Sequence, residues 1–115
     1  MEWKNAVFLW VNISSSNEFK NNVINEGTSI TWYGGSRMTA DTPLIQRLQR
    51  SNEMNMEETI IMFIRFEKES YCCIGRLGFE SCVLHTAPVQ FIWRLKDIDR
   101  CRHKHQVKRI INALE

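Results

Sequence analysis

Val89, Phe91, Trp93 and Leu95 alternate with Gln90, Ile92, Arg94 and Lys96. A period of two gives a strand one apolar face and one largely polar face, so residues 89–96 predict a half-buried strand. Two other segments are apolar without alternating. Ala6-Val7-Phe8-Leu9-Trp10-Val11 has the length of a strand buried on both faces. Thr59 to Phe66 is the strongest strand signal in the chain, and its unbroken apolar run predicts the centre of a sheet. Ser29-Ile30-Thr31-Trp32-Tyr33 reads as a further strand, ended by Gly34-Gly35-Ser36. After a charged turn at 67–70, residues 71–79 form a strand interrupted by Gly75 and Gly78, and 80–84 extend it. Glycines at such positions mark a bulge or sharp bend that curls a sheet. His85 to Pro88 is a turn.

Helical spacing occurs in three places. Phe19, Val23 and Ile24 follow the cap signal Ser14-Ser15-Ser16-Asn17 and precede Gly27, predicting a short amphipathic helix over 16–26. Asp41 or Thr42 caps a second helix with Pro43 in its first turn, and Leu44, Ile45 and Leu48 form its apolar face. Residues 51–58 are polar and read as a loop. A final helix over 99–114 buries Cys101, Val107, Ile110, Ile111 and Leu114. The expected architecture is α+β: a small, mainly antiparallel, strongly curved sheet or open β-barrel with two short helices and a C-terminal helix. At 115 residues the chain has the size of one domain and can bury a core without metal or disulfide staples.

These segments form a familiar layout. Ile30 to Ser36 is followed by a Thr/Pro loop and a Leu/Ile helix, then Ile61-Met62-Phe63-Ile64-Arg65. Tyr71 with Ile74-Gly75-Arg76-Leu77 comes next, and Pro88 to Leu95 closes the series. The pattern, over about residues 28–97, resembles an uncharacterised C-terminal domain of some bacterial DEAD/DEAH-type helicase and restriction-associated proteins. Its strand layout is also similar to PUA-like barrels, the group that includes the EVE and SRA domains. The resemblance implies a small barrel that binds nucleic acid, DNA ahead of RNA, in some relatives by holding a flipped or modified base in an aromatic pocket.

Charge sharpens this picture. The net charge is only +2, but residues 94–115 carry 7 Lys/Arg against 3 Asp/Glu, while residues 1–93 carry 8 against 10. The C-terminal cluster of Arg94, Lys96, Arg100, Arg102, Lys104, Lys108 and Arg109 can attract a phosphate backbone; it also suits the solvated face of a terminal helix. Trp32-Tyr33-Gly34-Gly35-Ser36-Arg37 is the second candidate. Aromatic faces stack on bases, glycines let the backbone approach a ligand, and Ser36 and Arg37 can hold a phosphate or base edge. Against this stands a reading in which Trp32 is core and the glycines simply turn the chain. The candidate nucleic-acid-binding residues are therefore Trp32, Tyr33, Ser36, Arg37, Arg76, Arg94, Arg100, Arg102 and Lys104.

Other chemistries find little support. Cys101 and His105 share a helix face, but Cys72 and Cys73 are adjacent and no Cys-x-x-Cys pair occurs, so no metal or other cofactor is expected. Cys82 near His85 offers only proximity for nucleophilic catalysis. No Walker loop, dinucleotide fingerprint or zinc-protease motif is present, and no enzyme is expected. The run at 6–11 lacks the basic leader and cleavage site of a signal peptide, and no apolar stretch is long enough to span a bilayer. The expectation is an intracellular protein, cytoplasmic or nuclear, with free thiols and no membrane partner. On the same reasoning the Asn12-Ile13-Ser14 glycosylation pattern is set aside. A protein partner, docking on an exposed apolar patch or on the edge of strand 6–11, is the competing expectation.

Overall fold

The runs rich in β-branched and aromatic residues become strands, and the segments with helical spacing near Pro43 and Val107 become helices. A computed structural model describes residues 2–4, 6–13, 21–35, 37–51, 59–86 and 88–115. In chain order its strands are β1 (Ala6–Ile13), β2 (Val23–Ile24), β3 (Ser29–Tyr33), β4 (Thr59–Phe66), β5 (Cys72–Val83) and β6 (Gln90–Leu95). The α-helices among the described residues are α1 (Pro43–Arg50), α2 (Ile98–Cys101) and α3 (His105–Leu114). The fold is α+β, and its six strands form one mixed sheet in the order β1-β4-β5-β6-β3-β2. The two ends of that order do not pair, so the sheet is open and not a closed barrel.

Four of the five pairings are antiparallel, and β1 runs parallel to β4, from Ala6 opposite Thr59 to Ile13 opposite Phe66. The twelve-residue β5 joins the two halves of the sheet. Its first residues pair with β4, from Cys72 opposite Ile64 to Arg76 opposite Ile61, and its later ones pair with β6, from Leu77 opposite Leu95 to Val83 opposite Gln90. Register shifts bend it twice, one between Cys73 and Gly75 and one at Glu80. Gly75 stands at φ +96, a backbone angle that only glycine adopts without strain. A Cβ there would sit 2.7 Å from Asp97 Cβ, so the bulge depends on glycine twice over. The second bend falls at Glu80 and not at Gly78.

One face of the sheet holds the core. Val7, Leu9 and Val11 of β1, Ile60, Met62 and Ile64 of β4, and Phe91, Trp93 and Leu95 of β6 are buried there. Ile45 and Leu48 of α1, Ile98 of α2, and Val107, Ile110 and Leu114 of α3 complete the same cluster. Each helix buries its apolar stripe against that inner face, which is why helical periodicity was readable at α1 and α3.

Several expectations change. The helix expected over 16–26 is not formed over its described part. Val23 and Ile24 instead pair with Ile30 and Ser29, and Asn25–Gly27 make a 3-10 turn with positive φ at all three residues. Gly27 therefore closes a hairpin rather than stopping a helix; pairing with β3 outweighs the weak helical spacing of two β-branched residues. Residues 14–20, 36, and 52–58 lie outside the described residues. The helix expected over 99–114 is two helices, because Lys104 is extended at ψ 133. In a continuous helix nine residues turn the chain by about 180° past whole turns, which would put Ile98 opposite Val107. The break lets both face the core. The strand expected at the centre, β4, lies one in from the edge, and β5 and β6 are central.

Candidate nucleic-acid interface

β1 was expected to be buried on both faces, yet it is an edge strand with only its aliphatic face covered. Val7, Leu9 and Val11 point inward, so strand alternation turns Phe8, Trp10 and Asn12 outward. Parallel pairing sets Phe8 opposite Ile61, Trp10 opposite Phe63 and Asn12 opposite Arg65 on this outer face. The rings form a connected cluster. Trp10 stacks on Phe63 with centroids 4.5 Å apart and planes at 18°. Phe8 meets Phe63 edge-on at 5.8 Å, Trp3 leans on Phe8 at 6.1 Å, and Tyr71 meets Trp10 edge-on at 4.9 Å. Trp3 is 59% exposed and Trp10 42%.

Polar groups rim the cluster. The Arg65 guanidinium lies 4.4 Å from the Tyr71 ring centroid. Its Nε donates to Asn12 Oδ1, the Tyr71 hydroxyl donates to the same oxygen at 3.2 Å, and Nη1 reaches Glu69 O at 3.4 Å. No carboxylate among the described residues pairs with Arg65, because Glu69 is held by Arg109 at 3.1 Å. Arg65 is thus a cation fixed by an aromatic ring and an amide, with no carboxylate paired to it among the described residues. The hydrophobic/polar pattern does contain this site. Within 7–13 the aliphatic side chains occupy odd positions while Phe8, Trp10 and Asn12 occupy even ones, and that split by residue type is lost when all apolar residues are counted alike.

The residues singled out from sequence are dispersed. Trp32 is 8% exposed and meets Phe91 edge-on at 5.9 Å in the core. Tyr33 lies on the outer face at the far end of the sheet, where Gln90 Nε2 donates to its hydroxyl at 3.2 Å. Ser36 lies outside the described residues, and Arg37 is exposed in the turn that follows. Arg76 is on the outer face opposite Ile61, and Arg94 is opposite Gly78 on the same face. Arg100, Arg102 and Lys104 are exposed on the helical layer, where Arg102 Nη2 approaches Gly27 O at 3.5 Å. The structure therefore brings Arg76 and Arg94, and Tyr33 at its far end, to the sheet face that carries the aromatic cluster, and leaves Arg100, Arg102 and Lys104 on the helices.

Arg76 is not free to move. Its Nε and Nη2 donate to Asp97 Oδ2 and Oδ1 at 3.0 and 2.8 Å, and its backbone N–H donates to Oδ2 at 2.8 Å. These side-chain bonds, with the backbone bond, hold the Asp97 carboxyl well below the usual carboxylate range. Arg94 makes no ion pair with the described residues and is exposed.

The other candidate chemistries meet physical obstacles. Burial pushes the Cys82 thiol up, away from the thiolate that nucleophilic catalysis needs. Burial, with Cys73 beside it, also raises Cys72. All four cysteines are free thiols. Among the described residues no three His, Cys, Asp or Glu side chains gather to hold a metal ion. No described helix is long and apolar enough to cross a membrane.

Comparison with family models, curated proteins and solved structures finds no match to this chain.

Proposed function

We propose that this protein is a nucleic-acid-binding module, not an enzyme, and that it binds through the aromatic outer face of β1 and β4. The observation that carries the reading is a cluster of exposed rings beside a cation that no described carboxylate pairs with: Trp3 and Trp10 next to Arg65. Base stacking on an aromatic ring contributes about 1–3 kcal/mol, and a nearby guanidinium adds attraction for phosphate. Arg76 and Arg94 extend the cationic character along the same face. The PUA-like layout read from the strand pattern supports the same ligand class. A base pocket built on Trp32 is disfavoured by its enclosure in the core, so stacking on the open face replaces it here. The exposed cations of α2 and α3 serve at most as a secondary, non-stacking contact.

The test is a titration of labelled single- and double-stranded DNA and RNA at low and moderate salt. Wild type is compared with a Trp10→Ala/Arg65→Gln double variant and with an Arg100→Ala/Arg102→Ala/Lys104→Ala triple variant. Salt-sensitive binding that the double variant loses and the triple variant largely keeps supports the reading. Binding lost only in the triple variant relocates the site to the helices, and no binding to any of the four nucleic acids overturns it.

A protein partner is the second reading, and one observation favours it. β1 is an edge strand bridged on its free side, among the described residues, only by Glu2 at Val7. The open backbone groups of such a strand can accept another strand.

A further inference from the structure

Resting on the nucleic-acid reading above, we propose that the ligand is single-stranded, with unpaired bases stacked on the open ring faces of Trp10 and Trp3 and its phosphates drawn by Arg65.

Stacking needs a free base face. In a duplex each base is covered above and below by its neighbours, and a protein meets only base edges and phosphates. Only an unpaired strand can present faces to protein rings. The geometry at β1 suits such a ligand. Phe63 stacks on Trp10 at 4.5 Å and 18° and Tyr71 meets it edge-on at 4.9 Å, while 42% of the residue stays exposed, so a base can lie on the exposed part of the ring and extend an existing stack. Trp3 leans on Phe8 with its ring more than half exposed. Trp10 stands on the edge strand and Trp3 in the segment beside it, where Glu2 bridges Val7 and no other described strand pairs with that edge.

Arg65 adds charge complementarity. Its Nε and Nη1 are engaged by Asn12 and Glu69, the guanidinium plane is held over Tyr71, and Nη2 has no acceptor among the described residues. A guanidinium fixed in this way offers a donor for a phosphate oxygen beside the stacked bases with little ordering still to be lost. An apolar peptide would use the rings and leave this cation idle. Reading a duplex groove calls for a protruding helix or ribbon, and these rings lie instead on a sheet face.

The experiment compares an oligo(dT) of about a dozen nucleotides, within the footprint range of single-strand sites, with a duplex of the same length. Intrinsic tryptophan emission is followed at several salt concentrations. Trp32 and Trp93 are buried, so quenching reports mainly on Trp3 and Trp10. The expected result is that oligo(dT) quenches the emission and binds at least about tenfold more tightly than the duplex. Trp10→Ala then weakens oligo(dT) binding about tenfold, the loss of one stacked base, and Trp10→Phe keeps most of the affinity. Arg65→Gln lowers the slope of log K against log salt by about 0.7, the value for one contact to a single strand. Both substitutions are at positions open to solvent on the sheet face, and circular dichroism verifies that each variant folds. Duplex bound as tightly as oligo(dT) overturns the single-strand inference and leaves the nucleic-acid reading standing. So does oligo(dT) binding that ignores both Trp10→Ala and Arg65→Gln. Failure of oligo(dT), the duplex and the matching single- and double-stranded RNAs alike overturns both, and salt-insensitive capture of a proline-rich peptide by the same rings would then assign the face to a protein ligand.

Discussion

The sheet carries two aromatic clusters built from the same kinds of ring. In the inner one Phe91 stacks on Trp93 at 5.2 Å and 14°, with Trp32 and Phe79 meeting them edge-on. In the outer one Trp10 stacks on Phe63 at 4.5 Å and 18°, with Phe8 and Tyr71 edge-on. The ring geometry is nearly interchangeable. The surroundings are not: Trp93 is fully buried under the helical layer, and Trp10 remains 42% exposed at the sheet edge. The inner rings Phe91 and Trp93 return nearly all of their apolar transfer free energy to folding, less the cost of the Trp93 Nε1–H, which is buried with no partner among the described residues. The outer rings return only part of theirs and leave ring faces in water, where folding gains nothing from them and a ligand can.

Removing one stacked tryptophan from each cluster tests this contrast most strongly. Trp93→Ala opens a cavity in a filled core and is expected to cost about 3–5 kcal/mol, enough to unfold a marginal domain. Trp10→Ala loses a stacked and an edge-on partner but opens no enclosed cavity, because the ring is 42% exposed, and is expected to cost about 1–2 kcal/mol. Urea denaturation of both variants measures the difference. Equal losses would mean that the outer cluster is a second core, and the binding reading would lose its basis.

The next largest effect is at the joint between the two regions. β5 leaves β4 and joins β6 just after Gly75, whose positive φ makes the bulge. Gly75→Ala adds a Cβ into Asp97 and forces an unfavourable backbone angle, for an expected cost of about 2–3 kcal/mol. If the joint holds the outer face in place, this variant also weakens ligand binding more than its stability loss explains. A normal thermal melt for Gly75→Ala would show that the bulge relaxes without cost.

How much of this was legible depended on where the apolar residues sit. The alternation at 89–96 gave β6 and the buried Phe91 and Trp93 directly, and the faces of α1 and α3 followed from their 3.6-residue spacing. The bulge beside Gly75 was anticipated from that glycine. Three things were hidden. β2 is two residues long and exists only because β3 lies beside it, so no local pattern could announce it. The parallel pairing of β1 with β4 joins segments about fifty residues apart, and it alone brings Trp10 to Phe63. The outer face was masked because an uninterrupted apolar run predicts burial on both sides, whereas at a sheet edge one side stays open. Of the residues expected to bind, Arg76 and Arg94 share that face, while Trp32 went to the core because it faces Phe91 from β3.

A smaller effect concerns acid. Arg76 holds Asp97 below the ordinary carboxylate range. A carboxyl whose folded pKa is depressed adds stability above its unfolded value of about 3.9 and loses it as pH falls toward the folded value. The Arg76 end of the pair is exposed, so the contribution is modest. Asp97→Asn is expected to be less stable than wild type at neutral pH, with the gap closing below about pH 4. Denaturation midpoints at a series of pH values read this directly, and a gap that stays constant into acid would mean the carboxylate's charge does not matter to the joint.

The smallest expected change in stability belongs to the most exposed ring. Trp3 touches Phe8, and its backbone N–H donates to Ala6 O at 2.7 Å while its carbonyl accepts from Arg47. The backbone contacts survive a change of side chain, so Trp3→Ala removes only a partial ring contact and is expected to shift stability by less than about 0.5 kcal/mol. If the outer cluster existed for folding, that would be the end of its importance. If it exists for stacking, the same substitution removes one of the two large apolar side chains exposed among the described residues and weakens single-strand binding several-fold with the melting temperature unmoved. A residue that matters to binding and not to folding is the signature that separates the outer cluster from the inner one. An unchanged affinity for Trp3→Ala, beside a weakened one for Trp10→Ala, would narrow the stacking surface to Trp10 and its neighbours on β4 and β5.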